Sequence, residues 1–195
     1  MPLLHHPDAA GADEAGRGPL AGPLVVAAVR LPKAFDIEGL DDSKKLDGAT
    51  RLELEARIKE CADWAVEVVS ALDVDRLNPL RASLEGMGRC LARLSPVQAY
   101  VDGNFLPKDL TFPTEAVVKG DGKLACVAAA SILAKTERDR IMIAMADVYP
   151  GYGFEKHFGY PTPFHLSVLL ELGPCPEHRR TYAPVRALLD QPALF

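Results

Sequence analysis

The sequence predicts an α/β fold in which a central mixed five-stranded sheet is flanked by helices and followed by a small helical C-terminal region. Three observations carry that prediction. Short apolar runs at Leu24–Leu31 and Trp64–Val69 have the β-branched content and alternation of strands. Leu84, Met87, Leu91 and Leu94 recur at helical spacing within Leu80–Leu94. Two further short strand-like runs follow that helix, and the order strand, helix, strand makes neighbouring strands parallel.

Taken in order, Ala9–Asp13 is a first strand, weak by propensity because it is alanine-rich, and Leu24–Leu31 is a second, ended by Pro32. Asp41–Leu46 reads as a loop entering a helix, with Arg51, Leu54 and Ile58 at helical spacing. The Trp64, Val66, Val68 alternation gives a third strand, so the first three form an antiparallel meander. Pro96 lies just beyond the Leu80–Leu94 helix, where the chain must leave helical geometry. Strands at Ala99–Val101 and Ala116–Val118 precede a long helix from Leu124 to Met145, whose first half is built from small residues that let it sit close on a sheet. Residues 149–195 are dense in proline, glycine and aromatics, with short helices expected at His165–Leu172 and Pro184–Leu189. The division is a core over residues 1–148 and a helical region over 149–195 that reads as an appendage rather than a second core.

The chain has 195 residues, with hydrophobic and charged shares of 48% and 25%, average values that exclude a disordered or repeat protein and leave function open. A formal net charge of −5 argues against binding a polyanion by global electrostatics, so local basic residues must do that work. Cys61, Cys90, Cys126 and Cys175 lie far apart without paired metal spacing and read as reduced, mostly buried thiols. The first ten residues do not look like a signal peptide, and the apolar run Leu124–Ala134 is shorter than the about 20 residues a membrane span needs. A cytoplasmic protein without membrane contact is expected.

Chemistry concentrates in Asp13-Glu14-Ala15-Gly16-Arg17-Gly18-Pro19. Neighbouring side chains on a strand point to opposite faces, so two consecutive acids converge on one ion only where the strand ends or bulges. The glycines flanking Arg17 supply a bend and let main-chain N–H groups approach a ligand's oxygens closely. An ordinary solvated turn has the same composition. Two more acids, Asp102 and Asp121, each follow an apolar run and touch a glycine, as a hard-cation site along one sheet edge requires. For Asp121, just before a helix, a capping role is the competing reading. His157, His165 and His178 fit no compact zinc spacing and read as structural or phosphate-facing.

These residues lie in motifs that resemble ribonuclease HII, the type 2 ribonuclease H family. In order they are DEAGRGPLAGP (13 to 23), DSKKL (42 to 46), VDG (101 to 103), VKGD (118 to 121), AASILAK (129 to 135), RDR (138 to 140), YPGYGF (149 to 154), HFGYPT (157 to 162) and GPCPEHR (173 to 179). The resemblance implies a ribonuclease H-like fold and an endonuclease that hydrolyses the RNA strand of RNA/DNA hybrids. It also implies nicking 5′ of ribonucleotides embedded in duplex DNA, leaving 3′-hydroxyl and 5′-phosphate ends, for ribonucleotide removal in replication and repair. Asp13, Glu14, Asp102 and Asp121 would bind two divalent ions, Mg2+ or Mn2+. The backbone of Gly16, Arg17 and Gly18 would read the 2′-hydroxyl, and Tyr160 would stack on the sugar of the following deoxynucleotide. Lys44, Lys45 and Lys119 would contact phosphates. Phe158 stands where the family usually has lysine, so a backbone-binding cation is replaced by an aromatic ring. A monomer is expected. The terminal Gln191-Pro192-Ala193-Leu194-Phe195 reads first as a plain flexible end, the alternative being a sliding-clamp-binding tail, since such tails pair glutamine with Leu-Phe.

Overall fold

A computed structural model describes residues 3–190. The clamp-like tail at 191–195 therefore lies outside the described residues. Five strands, β1 (Ala9–Ala15), β2 (Leu24–Arg30), β3 (Asp63–Val69), β4 (Gln98–Asp102) and β5 (Thr114–Val117), form one sheet in the order β3-β2-β1-β4-β5. β1, β2 and β3 pair antiparallel, as the meander predicts, and β4 and β5 add in parallel beyond β1.

The helices are α1 (Gly48–Cys61), α2 (Ala71–Leu77), α3 (Pro79–Leu94), α4 (Ala125–Val148), α5 (Phe154–His157), α6 (Pro163–Leu172) and α7 (Ala183–Leu189). Their starts follow local chemistry. Asp47, Ser70, Asn78 and Thr162 each accept from a backbone N–H of the first turn, and proline occupies the opening turn of α3 and α6. No helix among the described residues is long and apolar enough to cross a membrane.

β2 is buried on both faces. Val25, Ala27 and Val29 pack with α1 and the alanine-rich half of α4, while Leu24, Val26 and Ala28 pack with Met87, Cys90 and Leu91 of α3. Residues 125–134 of α4 are all buried, and the approach to β1 is so close that a Cβ on Gly11 would fall 2.3 Å from the Val127 nitrogen. The two layers thus clamp the strand that carries Asp13 and Glu14.

The C-terminal stretch wraps the end of α4. Tyr152, Phe154 and Val168 form a small apolar cluster with Met142 and with Ala21 of the loop after β1. Several boundaries differ from the sequence expectation. β1 continues through Glu14 to Ala15, and β5 lies at 114–117 rather than 116–118, since Val118 turns outward with about half its surface exposed, 52%. α2 and α5 were not anticipated, being only 7 and 4 residues long, too short for a helical period to register. The four cysteines are free, but Cys61 is exposed and Cys175 half-buried, so only Cys90 and Cys126 are core thiols.

Candidate active site

The two adjacent acids do not bend together. Asp13 and Glu14 stay in regular register with β2, opposite Ala27 and Val26, without a bulge. Asp13 therefore points to the α4 side of the sheet and Glu14 to the α3 side, where the Ser83 hydroxyl donates to its Oε2 at 2.7 Å. The expectation that the two acids converge where the strand ends or bulges is thus corrected: the strand stays paired through Ala15, and the turn that glycine supplies begins at Gly16, after both.

β4 runs beside β1 with Val101 opposite Ala12, which brings Asp102 next to Asp13 on the α4 side. Asp102 Oδ1 accepts the Gly120 N–H at 2.7 Å, tying β4 to the single 3-10 turn Gly120–Gly122 that holds Asp121. Asp121 does not cap α4, whose N-cap position, Leu124, receives no side-chain bond. Asp13 and Asp121 are 4% and 7% exposed, which is unusual for carboxylates without a paired cation.

Burial raises the Asp13 pKa well above its ordinary value, and Glu14, Asp102 and Asp121 push it further. Asp121 is raised by burial, then by Asp42 and Asp102, with Lys44 opposing. Like charges at one sheet edge produce such shifts, and they mark all four acids as sharing one field. Among the described residues no three acidic, histidine or cysteine side chains already enclose a single point as a ligand cage.

Beside the acids, a cavity of about 130 Å³ is lined by Glu14, Arg17, Ser83, Asp102, Gly103 and Asn104. A larger one, about 640 Å³, runs along the outer side of α3 and holds none of the acids.

Gly16 has φ of 101°, and a Cβ there would lie 2.1 Å from Arg138 Nε, so only glycine fits. Arg17 is exposed and reaches back to Glu14 at 3.4 Å. The Tyr160 ring stands over Gly18, with Cε1 3.7 Å from where a Cβ would be, and is 42% exposed. Arg138 and Arg179, cations of the RDR and GPCPEHR motifs, are 1% and 0% exposed. Arg138 donates to the carbonyls of Ala21, Pro23 and Phe158, and Arg179 to those of Gly16, Arg17 and Gly22. Burial lowers both guanidinium pKa values, that of Arg138 to about 10.

The three lysines separate. On Lys44, burial acts to lower the pKa, but Asp42, Asp13, Asp121 and Asp102 outweigh it and raise it, so this cation faces the acids. Lys45 is engaged by Asp41 at 2.8 Å. Lys119 is exposed, in a left-handed conformation two residues before Asp121. The loop carrying Lys44 is anchored by Ser43, whose hydroxyl meets that of Ser131 on α4 at 2.7 Å. Asp42 and Ser83 are the site residues that sequence reasoning missed. DSKKL was legible as a motif, yet nothing in it says that its aspartate faces Asp121, and Ser83 sits in no motif at all.

The histidines are structural. The Cys175 N–H donates to His178 Nδ1, so His178 Nε2–H donates to His165 Nε2 at 3.1 Å, and His165 Nδ1–H donates to the Tyr160 carbonyl at 2.9 Å. This neutral relay fixes the tyrosine's backbone. Burial, then His165, lowers the His178 pKa from 6.5 to about 4. A group held neutral in the fold leaves stability intact above pH 6.5 and removes it as pH falls toward 4, by up to about 3 kcal/mol. Melting temperature is expected to drop across that window, and a His178→Gln variant should lose much of the slope. An equal slope in the variant would refute the assignment.

The sequence profile of ribonuclease HII matches residues 10–185. The ribonuclease HII of Paracoccus denitrificans is 52% identical over 182 residues, covering 92% of this chain and 87% of that protein. Among solved structures, the PCNA:RNase HII complex from Archaeoglobus fulgidus superposes with a TM-score of 0.78 at 31% identity, over 90% of this chain and 95% of that one. Bst-RNase HIII in complex with Mn2+ shares the fold at a TM-score of 0.73 and 20% identity, over 94% of this chain and 69% of that one.

Proposed function

Because the chain belongs to the ribonuclease HII family, and is thereby an endonuclease that hydrolyses RNA in RNA/DNA hybrids, we propose that it also nicks duplex DNA 5′ of an embedded ribonucleotide, using two divalent cations. The observation that carries this reading is the juxtaposition of the acid cluster with a glycine loop and an exposed tyrosine ring. Asp13, Asp102 and Asp121 share one electrostatic field, and the Gly16–Gly18 turn begins three residues after Asp13 with Tyr160 above it.

The donor set fits Mg2+ or Mn2+. It is carboxylate oxygen throughout, the preference of hard cations, and the acids' raised pKa values are what an added positive charge would reverse. Asp13, Glu14, Asp102 and Asp121 would hold the ions, which when bound supply Lewis acidity toward the scissile phosphate. The Bst-RNase HIII structure holds Mn2+, in keeping with that choice. Lys44 balances the acids and orients a phosphate, Lys119 offers a further phosphate contact, and Lys45 reaches one only by leaving Asp41. The backbone amides of 16–18 read the 2′-hydroxyl, and Tyr160 packs on the next sugar. The product keeps its 3′-hydroxyl, with the phosphate on the 5′ end, as ribonucleotide removal from DNA requires. The protein acts as a monomer in the cytoplasm. The Gln191–Phe195 tail is the proposed sliding-clamp contact, by analogy with the Archaeoglobus complex.

The test is cleavage of three matched duplexes: all DNA, DNA with one ribonucleotide, and RNA/DNA hybrid. Cutting of the second and third with Mg2+ or Mn2+, and none with chelator, is expected. Equal cutting of all-DNA duplex overturns the reading. Ser83→Ala frees the Glu14 carboxylate to rotate and is expected to weaken Mn2+ binding by about 10-fold. Titration of Mn2+ into the free protein checks this, and unchanged affinity would remove Ser83 from the site.

A further inference from the structure

Two full positive charges buried without a carboxylate are costly. Arg138 and Arg179 are nevertheless 1% and 0% exposed, and neither makes an ion pair among the described residues. Packing alone does not call for them, since methionine or leucine would fill the space without that penalty. What only guanidinium supplies is a planar fork of five N–H donors.

Every hydrogen-bond acceptor of these forks is a backbone carbonyl of 16–23 or Phe158, apart from the Tyr182 hydroxyl at 3.0 Å from Arg179 Nη1. The carbonyls of Gly16 and Arg17 point inward to Arg179, while among the described residues no acceptor takes the N–H groups of Gly16, Arg17 or Gly18. Arg138 joins the two halves of the proposed reader. It bonds the carbonyls of Ala21 and Pro23 on one side and of Phe158, two residues before Tyr160, on the other, with its guanidinium carbon 5.9 Å from the Tyr160 ring centre.

We infer that Arg138 and Arg179 are positioning residues for ribonucleotide recognition: by holding loop carbonyls inward they present the Gly16–Gly18 amides, and by bridging to Phe158 they set the Tyr160 ring over them. Neither touches substrate. The inference rests on the ribose-reading role proposed for this loop. A hybrid offers a 2′-hydroxyl at every step, so a displaced loop still finds a productive register. A lone ribonucleotide offers one.

Arg179→Lys, Arg138→Lys and the milder Tyr182→Phe, which removes a hydroxyl bonded to both Arg179 and the Arg17 carbonyl, are compared with Ile58→Ala, a core change on α1 that lowers stability elsewhere. The readouts are kcat and KM on the single-ribonucleotide duplex and on the hybrid, Mn2+ affinity, and melting temperature. Each arginine variant is expected to lose about 10-fold more kcat/KM on the single ribonucleotide than on the hybrid, and Tyr182→Phe about 3-fold more, with Mn2+ binding unchanged. Ile58→Ala should keep the wild-type ratio. An unchanged ratio in the arginine variants and Tyr182→Phe, or the same change in Ile58→Ala, overturns the inference. If an arginine variant does not fold, Tyr182→Phe decides. A wild-type protein that cuts all-DNA duplex equally overturns the functional reading instead.

Discussion

Asp13→Asn is expected to reduce cleavage of a ribonucleotide-containing duplex by about 10³-fold and, at the same time, to raise the melting temperature measured with chelator at pH 7. Both follow from one arrangement. Asp13 is 4% exposed at the end of β1, with Asp102 beside it on the parallel strand and Asp121 on the turn bonded to Asp102. Burial and three acids hold its pKa well above 3.8. A carboxyl raised in the fold adds stability only while protonated. That contribution is present below the unfolded value and is lost as pH rises through the folded one, so at pH 7 the buried carboxyl is a net cost. Asparagine removes the cost and keeps an oxygen to accept the Glu14 N–H, now at 2.7 Å, so the strand end is preserved. It also removes the negative oxygen most central to the acid cluster, and cation binding falls with it. Nicking assays and thermal melts on the same preparation check both halves. A variant that cuts like the parent, or that melts lower, would show that Asp13 is not the centre of the charge cluster.

How much of this was legible in the sequence depends on whether a feature is local. β2 announces itself because consecutive valines buried on both faces leave an unbroken apolar run, and α3 because Leu84, Met87 and Leu91 mark one stripe. The acids are readable as a set only through their shared habit of standing at strand ends beside glycine. Their handedness is not: Asp13 and Glu14 separate to opposite faces because β1 stays paired with β2 as far as Ala15, a tertiary pairing no dipeptide encodes. Arg138 and Arg179 show the same limit more sharply. Their letters say only cation, yet loop carbonyls that curl inward make burial tolerable, and those carbonyls come from a segment more than a hundred residues away. The lysines divide for a like reason, since Asp41 and Asp42 both lie within four residues of each lysine and only the fold sends Lys45 to Asp41 and Lys44 toward Asp42 and the other acids.

Gly11→Ala is expected to destabilise the protein by about 3 kcal/mol, toward the upper end of what overpacking costs, and to impair cleavage even below the melting transition. The added methyl would meet the Val127 nitrogen at 2.3 Å, the Cys126 carbonyl carbon at 2.4 Å and the Cys126 oxygen at 2.7 Å. All three are backbone atoms of α4, so no side chain can swing aside and the whole helix must move. Gly11 is two residues from Asp13 on the same face of β1, and Asp121 sits in the turn leading into α4. Moving the helix away from the strand therefore separates two of the acids, which couples a packing defect to chemistry. Gly48→Ala provides the contrast: nothing lies within 4 Å of a Cβ there, at the first residue of α1, so it should be neutral or slightly stabilising. Denaturant titration of both variants, with nicking rates taken well below each transition, separates the two effects. If Gly11→Ala matched Gly48→Ala in stability, the close seating of α4 on β1 could not be what holds Asp121 near Asp13.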